Sequence, residues 1–126
     1  MKQKELCVAV VGTGYAGQLH SDAFRKVGGI SIRLKTVVDI DFPKAQAFRD
    51  AYGYEVALQD YDEMLQDPEI QVVDICTPPF VHTEMVLKAF RAGKHVICEK
   101  PLTGYFGQAG DTAPVGKTVP RRQMYE

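Results

Sequence analysis

Along residues 5–98, short apolar runs alternate with longer segments in which apolar positions recur at helical spacing. Leu6–Val11 is apolar throughout and reads as a strand buried on both faces. From Ala16 to Val27 the residues Leu19, Ala23, Phe24 and Val27 fall on one helical face, and Gly28-Gly29 closes the helix. Ile30–Val38 is rich in β-branched residues and predicts a second strand ending at Asp39. Pro43–Tyr52 puts Ala45, Phe48, Ala51 and Tyr52 on one face, with proline at its start and Gly53 past its end. Glu55-Val56-Ala57 predicts a short third strand, and Asp60 with Glu63 predicts a capped helix through Met64 and Leu65, ended by Asp67-Pro68. Ile70–Cys76 is a fourth strand, Thr77-Pro78-Pro79 a turn, and Phe80–Ala92 a helix burying Met85, Val86, Ala89 and Phe90. Gly93 closes it, and His95–Cys98 is the fifth strand. This alternation predicts an α/β fold, a doubly wound parallel sheet, because parallel neighbours need right-handed crossovers.

After Thr103 the pattern stops. Gly104, Gly107, Gly110, Pro114, Gly116 and Pro120 arrive without period among polar neighbours. The expected division is a single α/β domain over 1–102 and a Gly/Pro-rich loop or linker over 103–126.

The first turn carries the chemistry. Gly12-Thr13-Gly14-Tyr15-Ala16-Gly17 lies between the first strand and the first helix, the Rossmann position for a phosphate-binding turn. Gly12 permits the tight turn, Gly14 lets the backbone approach a pyrophosphate, and Gly17 lets the helix lie close on its strand. The helix N-terminus then offers unpaired N–H groups and a favourable dipole to the anion. Asp39 ends the next strand at the offset where a carboxylate accepts hydrogen bonds from the adenosine ribose. The competing reading of Asp39 is a polar residue beginning a turn. A carboxylate about 4 Å from a 2′-phosphate would cost roughly 4 kcal/mol at an effective dielectric near 20, up to several hundredfold in affinity. With no arginine close after Asp39 and Lys44 the nearest cation to follow it, NAD is expected in preference to NADP.

Composition narrows the partners. The 126 residues are 45 % apolar and 25 % charged, room for one core, and a net charge of −1 provides no basic field for nucleic acid or anionic lipid. The first apolar run is too short for a signal peptide or membrane span, so a cytoplasmic protein is expected. Cys7, Cys76 and Cys98 have no paired spacing and read as reduced thiols packed like small hydrophobes, with no metal site.

Three motifs together resemble the N-terminal domain of the Gfo/Idh/MocA oxidoreductases: Gly12–Gly17 followed by His20, Thr77-Pro78-Pro79-Phe80-Val81-His82, and Glu99-Lys100-Pro101-Leu102. The likeness covers residues 6–102. It implies a two-domain enzyme of which this chain is a fragment, without the substrate-binding C-terminal domain, and a homo-oligomer for the full-length enzyme. It implies hydride transfer between nicotinamide and a hydroxyl-bearing carbon of a sugar, polyol or related small molecule. Alternatives are an NAD-dependent glycosidase of the same family or a non-catalytic dinucleotide-binding module.

Lys100 is the catalytic residue that this likeness implies, its ammonium favouring alkoxide character as hydride leaves. As a residue alone it reads equally as a surface lysine, but it follows a parallel strand at the edge where such sheets hold ligands. The cofactor-binding set is Gly12, Thr13, Gly14, Tyr15, Ala16, Gly17, Asp39, Thr77, Pro78, His82 and Glu99. Thr77-Pro78 reads also as a stiffened helix start, and His82 divides evenly between the cofactor and a satisfied boundary position. His20 reads as structural and His95 receives no role.

Overall fold

The computed structural model describes residues 4–100; the loop or linker expected over 103–126 lies outside the described residues. Strands β1 (Glu5–Val11), β2 (Ser31–Val38), β3 (Val56–Leu58), β4 (Val72–Ile75) and β5 (His95–Cys98) form one parallel sheet in the order β3-β2-β1-β4-β5. The chain winds outward from β1 to β3, then crosses to β1's other side. The resulting switch point between β1 and β4 is where doubly wound sheets leave a crevice at their carboxyl edge.

β1 is apolar throughout because it has a core on each side. Val8 and Val10 pack with Val37, Ala45, Phe48, Tyr54 and Ala57, under helices α1 (Tyr15–Phe24) and α2 (Phe42–Tyr52). Cys7, Ala9 and Val11 face the opposite core of Met64, Leu65, Ile70, Val73, Val86 and Ala89, under α3 (Tyr61–Leu65) and α4 (His82–Arg91). Alternate side chains thus enter opposite cores. The pairing of β1 with β2 slips by one residue, from Val8 opposite Leu34 to Ala9 opposite Thr36. The skipped residue, Lys35, makes ion pairs with Asp67 at 2.5 Å and Glu69 at 3.1 Å.

α1 departs from the hydrophobic pattern. It ends at Phe24, and Lys26 and Val27 donate to carbonyls three residues back, so the last turn tightens before the double glycine is reached. Its buried residues are Gly17 and Ser21, whereas Leu19 and Val27 are 50 % and 44 % exposed and Ala23 is exposed as well. The physical reason is polar satisfaction of the inner face: the Ser21 hydroxyl bonds to the Gly17 carbonyl and to the Tyr54 hydroxyl, both at 2.7 Å. Of the stripe chosen by hydrophobicity, Phe24 packs against the core while Leu19, Ala23 and Val27 face out.

The other helices follow their signals more closely. In α2, Ala45 and Phe48 are buried, Tyr52 stacks on Phe48 at 4.4 Å between centroids, and Ala51 is exposed. Asp41 caps its start. Asp60 accepts from the backbone N–H groups of Asp62 and Glu63, as the capping signal requires. The helix expected over 80–92 divides into a 3-10 turn (Pro79–Val81) and α4, which buries Val86 and Ala89 and half-buries Met85 and Phe90.

Gly53 ends α2 at φ +80°, donating to the Arg49 carbonyl at 2.9 Å. Gly53→Ala has ordinary space for its methyl group but the wrong backbone region. It should therefore destabilise the chain by roughly 1–2 kcal/mol, read as a lowered urea midpoint.

Candidate functional site at the carboxyl edge of the sheet

Parallel strands deliver their carboxyl ends to one edge. That edge receives the glycine turn after β1, Asp39 after β2, Thr77-Pro78 after β4, and Glu99-Lys100 after β5. The turn is anchored from both sides: Gly12 N–H donates to the Val38 carbonyl at 2.8 Å, and Cys76 N–H to the Val11 carbonyl at 2.8 Å.

The three glycines answer to different constraints. Gly12 sits at φ +100°, and a Cβ there would stand 2.8 Å from the Cys76 carbonyl oxygen. A Cβ at Gly17 would stand 2.4 Å from the Gly12 carbonyl oxygen, so α1 lies directly on the turn. Gly14 has extended backbone, φ −81° and ψ −162°, and a Cβ there would meet nothing within 4 Å. The protein's own packing gives no reason for glycine at 14; open space over the backbone is what an approaching ligand requires. Gly14 is also the N-cap of α1, with no side-chain capping bond and no acidic residue in the first turn. This helix start keeps the character of an anion site. Tyr15 is 76 % exposed and Ala16 half-buried beside it.

Asp39 is fixed in place by the same turn. Its Oδ2 accepts from the Thr13 hydroxyl at 2.7 Å and the Thr13 N–H at 3.2 Å, and its Oδ1 accepts from Asp41 N–H at 2.8 Å. A carboxylate has about four acceptor positions, so these three bonds leave Oδ1 with capacity for one more donor. Asp39 and Lys44 together line an open cleft of about 410 Å³ with Thr13, Gly14 and the outer face of α2.

On the β4 side, Pro78 is exposed and Thr77 half-buried, its hydroxyl 3.5 Å from the Met85 sulfur. His82 is not open to a ligand: it is 1 % exposed, and its Nε2 donates to the Thr77 carbonyl at 2.6 Å. Its position under the turn holds the Thr77 backbone against α4. Glu99 is anchored by its N–H to the Ile75 carbonyl at 3.1 Å, and Lys100 beyond it is exposed.

Sequence reasoning assigned no chemistry to Asp74, which is completely buried in β4. His20, from α1, places Nδ1 2.7 Å from Asp74 Oδ2 and Nε2 2.5 Å from Glu99 Oε1. Burial raises the Asp74 carboxyl from the usual range, and the His20 interactions partly counter that rise. The readable signal was the acid itself, a charge inside the run Val72-Val73-Asp74-Ile75. Cys7 behaves as the expected buried thiol, but Cys76 is half-buried with its sulfur 3.4 Å from His20 Nδ1 and 3.5 Å from Asp74 Oδ1. Burial, then the negative field of Asp74, pushes the Cys76 thiol up, and similar causes take Cys98 to about 12. His20, Asp74 and Cys76 bring metal-ligand atom types within 4.8 Å of one another, a grouping that no sequence spacing announces.

A glycine-turned helix start, an acid at the end of β2 and a topological switch point between β1 and β4 define a dinucleotide-binding α/β domain. The chain belongs to the Gfo/Idh/MocA oxidoreductase family, NAD-binding Rossmann fold, whose family model matches residues 6–117. It is 34 % identical over 106 residues to levoglucosan dehydrogenase of Pseudarthrobacter phenanthrenivorans, covering 79 % of this chain and 27 % of that protein. It is 39 % identical over 99 residues to inositol 2-dehydrogenase of Arthrobacter sp. strain FB24, covering 78 % of this chain and 29 % of that protein. A solved structure of levoglucosan dehydrogenase in complex with NADH superposes with a TM-score of 0.75 at 33 % identity, over 79 % of this chain and 29 % of that one. The match therefore spans under a third of these relatives' length. Among the described residues, no helix is long and apolar enough to cross a membrane.

Gly17 and Gly14 separate packing from ligand approach. Gly17→Ala should destabilise the chain by about 1–3 kcal/mol or more, because its methyl group meets fixed backbone. Gly14→Ala should leave the urea midpoint nearly unchanged, since nothing stands in its way. Equal destabilisation by both substitutions would contradict the assignment of Gly14 to a ligand.

Proposed function

We propose that this chain binds NAD at the carboxyl edge and serves as the cofactor-binding part of a dehydrogenase acting on a hydroxyl-bearing carbon of a sugar, polyol or related small molecule. The observation that carries the proposal is Asp39 held by Thr13 beside the uncovered backbone of Gly14. The residues present fit the cofactor. The N–H groups from Gly14 into the first turn of α1 offer donors to a pyrophosphate, and Asp39 Oδ1 retains acceptor capacity for a ribose hydroxyl. Thr77 and Pro78 follow β4 on the other side of the switch point, and Glu99 with Lys100 follows β5 at the same edge.

When bound, the nicotinamide supplies the hydride acceptor. Lys100 supplies an ammonium that stabilises negative charge developing on the substrate oxygen. Solved structures of levoglucosan dehydrogenase include complexes with NADH and levoglucosan and with NADH and L-sorbose, which supports a carbohydrate-type substrate. Relatives more than three times the length of the match support a substrate-holding region beyond this domain. Hydride transfer depends on that region, because the rate comes from holding two reactants in attack geometry.

NAD rather than NADP follows from the placement of Asp39. Lys44 lines the same cleft and softens the repulsion of a 2′-phosphate, so discrimination should fall below the several hundredfold of an unopposed carboxylate. Calorimetric titration of this chain should show saturable NAD+ binding, with NADP+ weaker by about tenfold or more. Asp39→Ala should lose most of that difference and weaken NAD+ binding. Equal binding of the two cofactors by the unaltered chain would contradict the role given to Asp39, and binding of neither by folded chain would contradict the site.

A further inference from the structure

The contacts of His20 assign it more than packing. A neutral imidazole has one N–H donor and one acceptor nitrogen, yet both ring nitrogens of His20 stand at hydrogen-bond distance from carboxylate oxygens. Both bonds can form only if the ring carries two protons or one acid is protonated. Glu99 keeps 36 % of its side chain in solvent, so water still reaches its carboxylate. Asp74 is wholly buried and cannot ionise cheaply without a charged partner, and the ring beside it supplies that partner. Imidazolium between two carboxylates therefore satisfies both acids with charge-assisted bonds.

The bridge joins three elements distant in sequence: α1 through His20, β4 through Asp74, and the exit of β5 through Glu99. Glu99 is thereby held twice, by its N–H on the Ile75 carbonyl and by its carboxylate on the ring. Lys100 is the next residue. Its backbone starts from a point that cannot swing unless the ring lets go.

We propose that His20 is a positioning residue of the oxidoreductase site: as an imidazolium bonded to Asp74 and Glu99, it fixes the Glu99-Lys100 dipeptide against α1 and so sets where the Lys100 ammonium stands. The inference rests on the proposed role of Lys100 for its functional meaning, but the clamp is measurable without turnover. The groups facing the ring are Asp74 from β4, Cys76 just past its end, and Glu99 just past the end of β5. The charge of Asp74 is felt in turn, at longer range, by the Tyr54 hydroxyl and the Cys98 thiol.

Burial alone would draw the His20 pKa down; the hydrogen bonds and charges of Asp74 and Glu99 outweigh it and leave the value raised. A raised folded-state pKa means stabilisation that is full below the ordinary value near 6.5 and lost as pH rises through the folded value. The clamp is thus closed on the acid side and opens on the alkaline side.

Nitrogen-15 NMR of this chain, titrated from about pH 5 to 10, tests the clamp in the unaltered protein, Glu99→Gln and His20→Gln. Both ring nitrogens of His20 should be protonated at neutral pH, with a midpoint above the ordinary histidine value. Glu99→Gln should lower that midpoint. The Glu99 and Lys100 amide signals should titrate with the ring, and His20→Gln should abolish that transition. A singly protonated ring at neutral pH, a midpoint indifferent to Glu99→Gln, or a Lys100 amide indifferent to the ring would each overturn the proposal. If His20→Gln fails to fold, the unaltered chain and Glu99→Gln still decide. NAD+ titration of the unaltered chain reports separately on the cofactor site, so failure of that reading is distinguishable from failure of the clamp.

Discussion

The site depends on how closely α1 sits on β1. The Gly12 carbonyl stands where a side chain at 17 would begin, 2.4 Å from that absent Cβ. This approach aims the start of α1 at the crevice, with the N–H groups of its first turn facing outward. It also brings the next turn of α1 down to the sheet, so that Ser21 meets Tyr54 and His20 reaches Asp74 and Glu99. A helix held farther out would leave the anion site misdirected and Asp74 buried without its imidazole partner.

Polar groups take over where the close approach leaves no room for large apolar side chains. The inner face of α1 is held by hydroxyls and an imidazole, whereas α2 and α4 are held by Phe48, Val86 and Ala89. The same division runs along the sheet edge. Thr13 ties the turn to Asp39, His82 ties the Thr77 carbonyl to α4, and His20 ties the end of β5 to α1. Each loop at the crevice is thus fastened by a directional bond, which is how a site is held in a fixed geometry on mobile kinds of segment.

Much of the architecture was legible because burial on both faces writes continuous apolar strands, and all five strands stand where the runs place them. Caps were legible for a local reason: Asp60 and Gly53 act on backbone within a few residues. The inner face of α1 was not, because its burial is decided by contacts with Gly12 and Tyr54 rather than by its own hydrophobicity. The glycine turn and Asp39 could be read from spacing, and the Thr13 bonds bring the two together. The role of Asp74 and the two-sided bonding of His20 could not, because residues 20, 74 and 99 meet only once the sheet order is set. His82 looked like a crevice residue from its place in the chain, but its side chain turns beneath the loop and is buried.

We place a dinucleotide at the carboxyl edge of this sheet, over Gly14, and chemical-shift mapping of the chain's backbone amides during NADH titration checks that placement. Perturbations should concentrate at residues 12–17, 39–40, 76–78 and 99–100, with α3 and the amino ends of the strands unmoved. Perturbations centred elsewhere, or the same map from a folded chain carrying Gly14→Val, would contradict it.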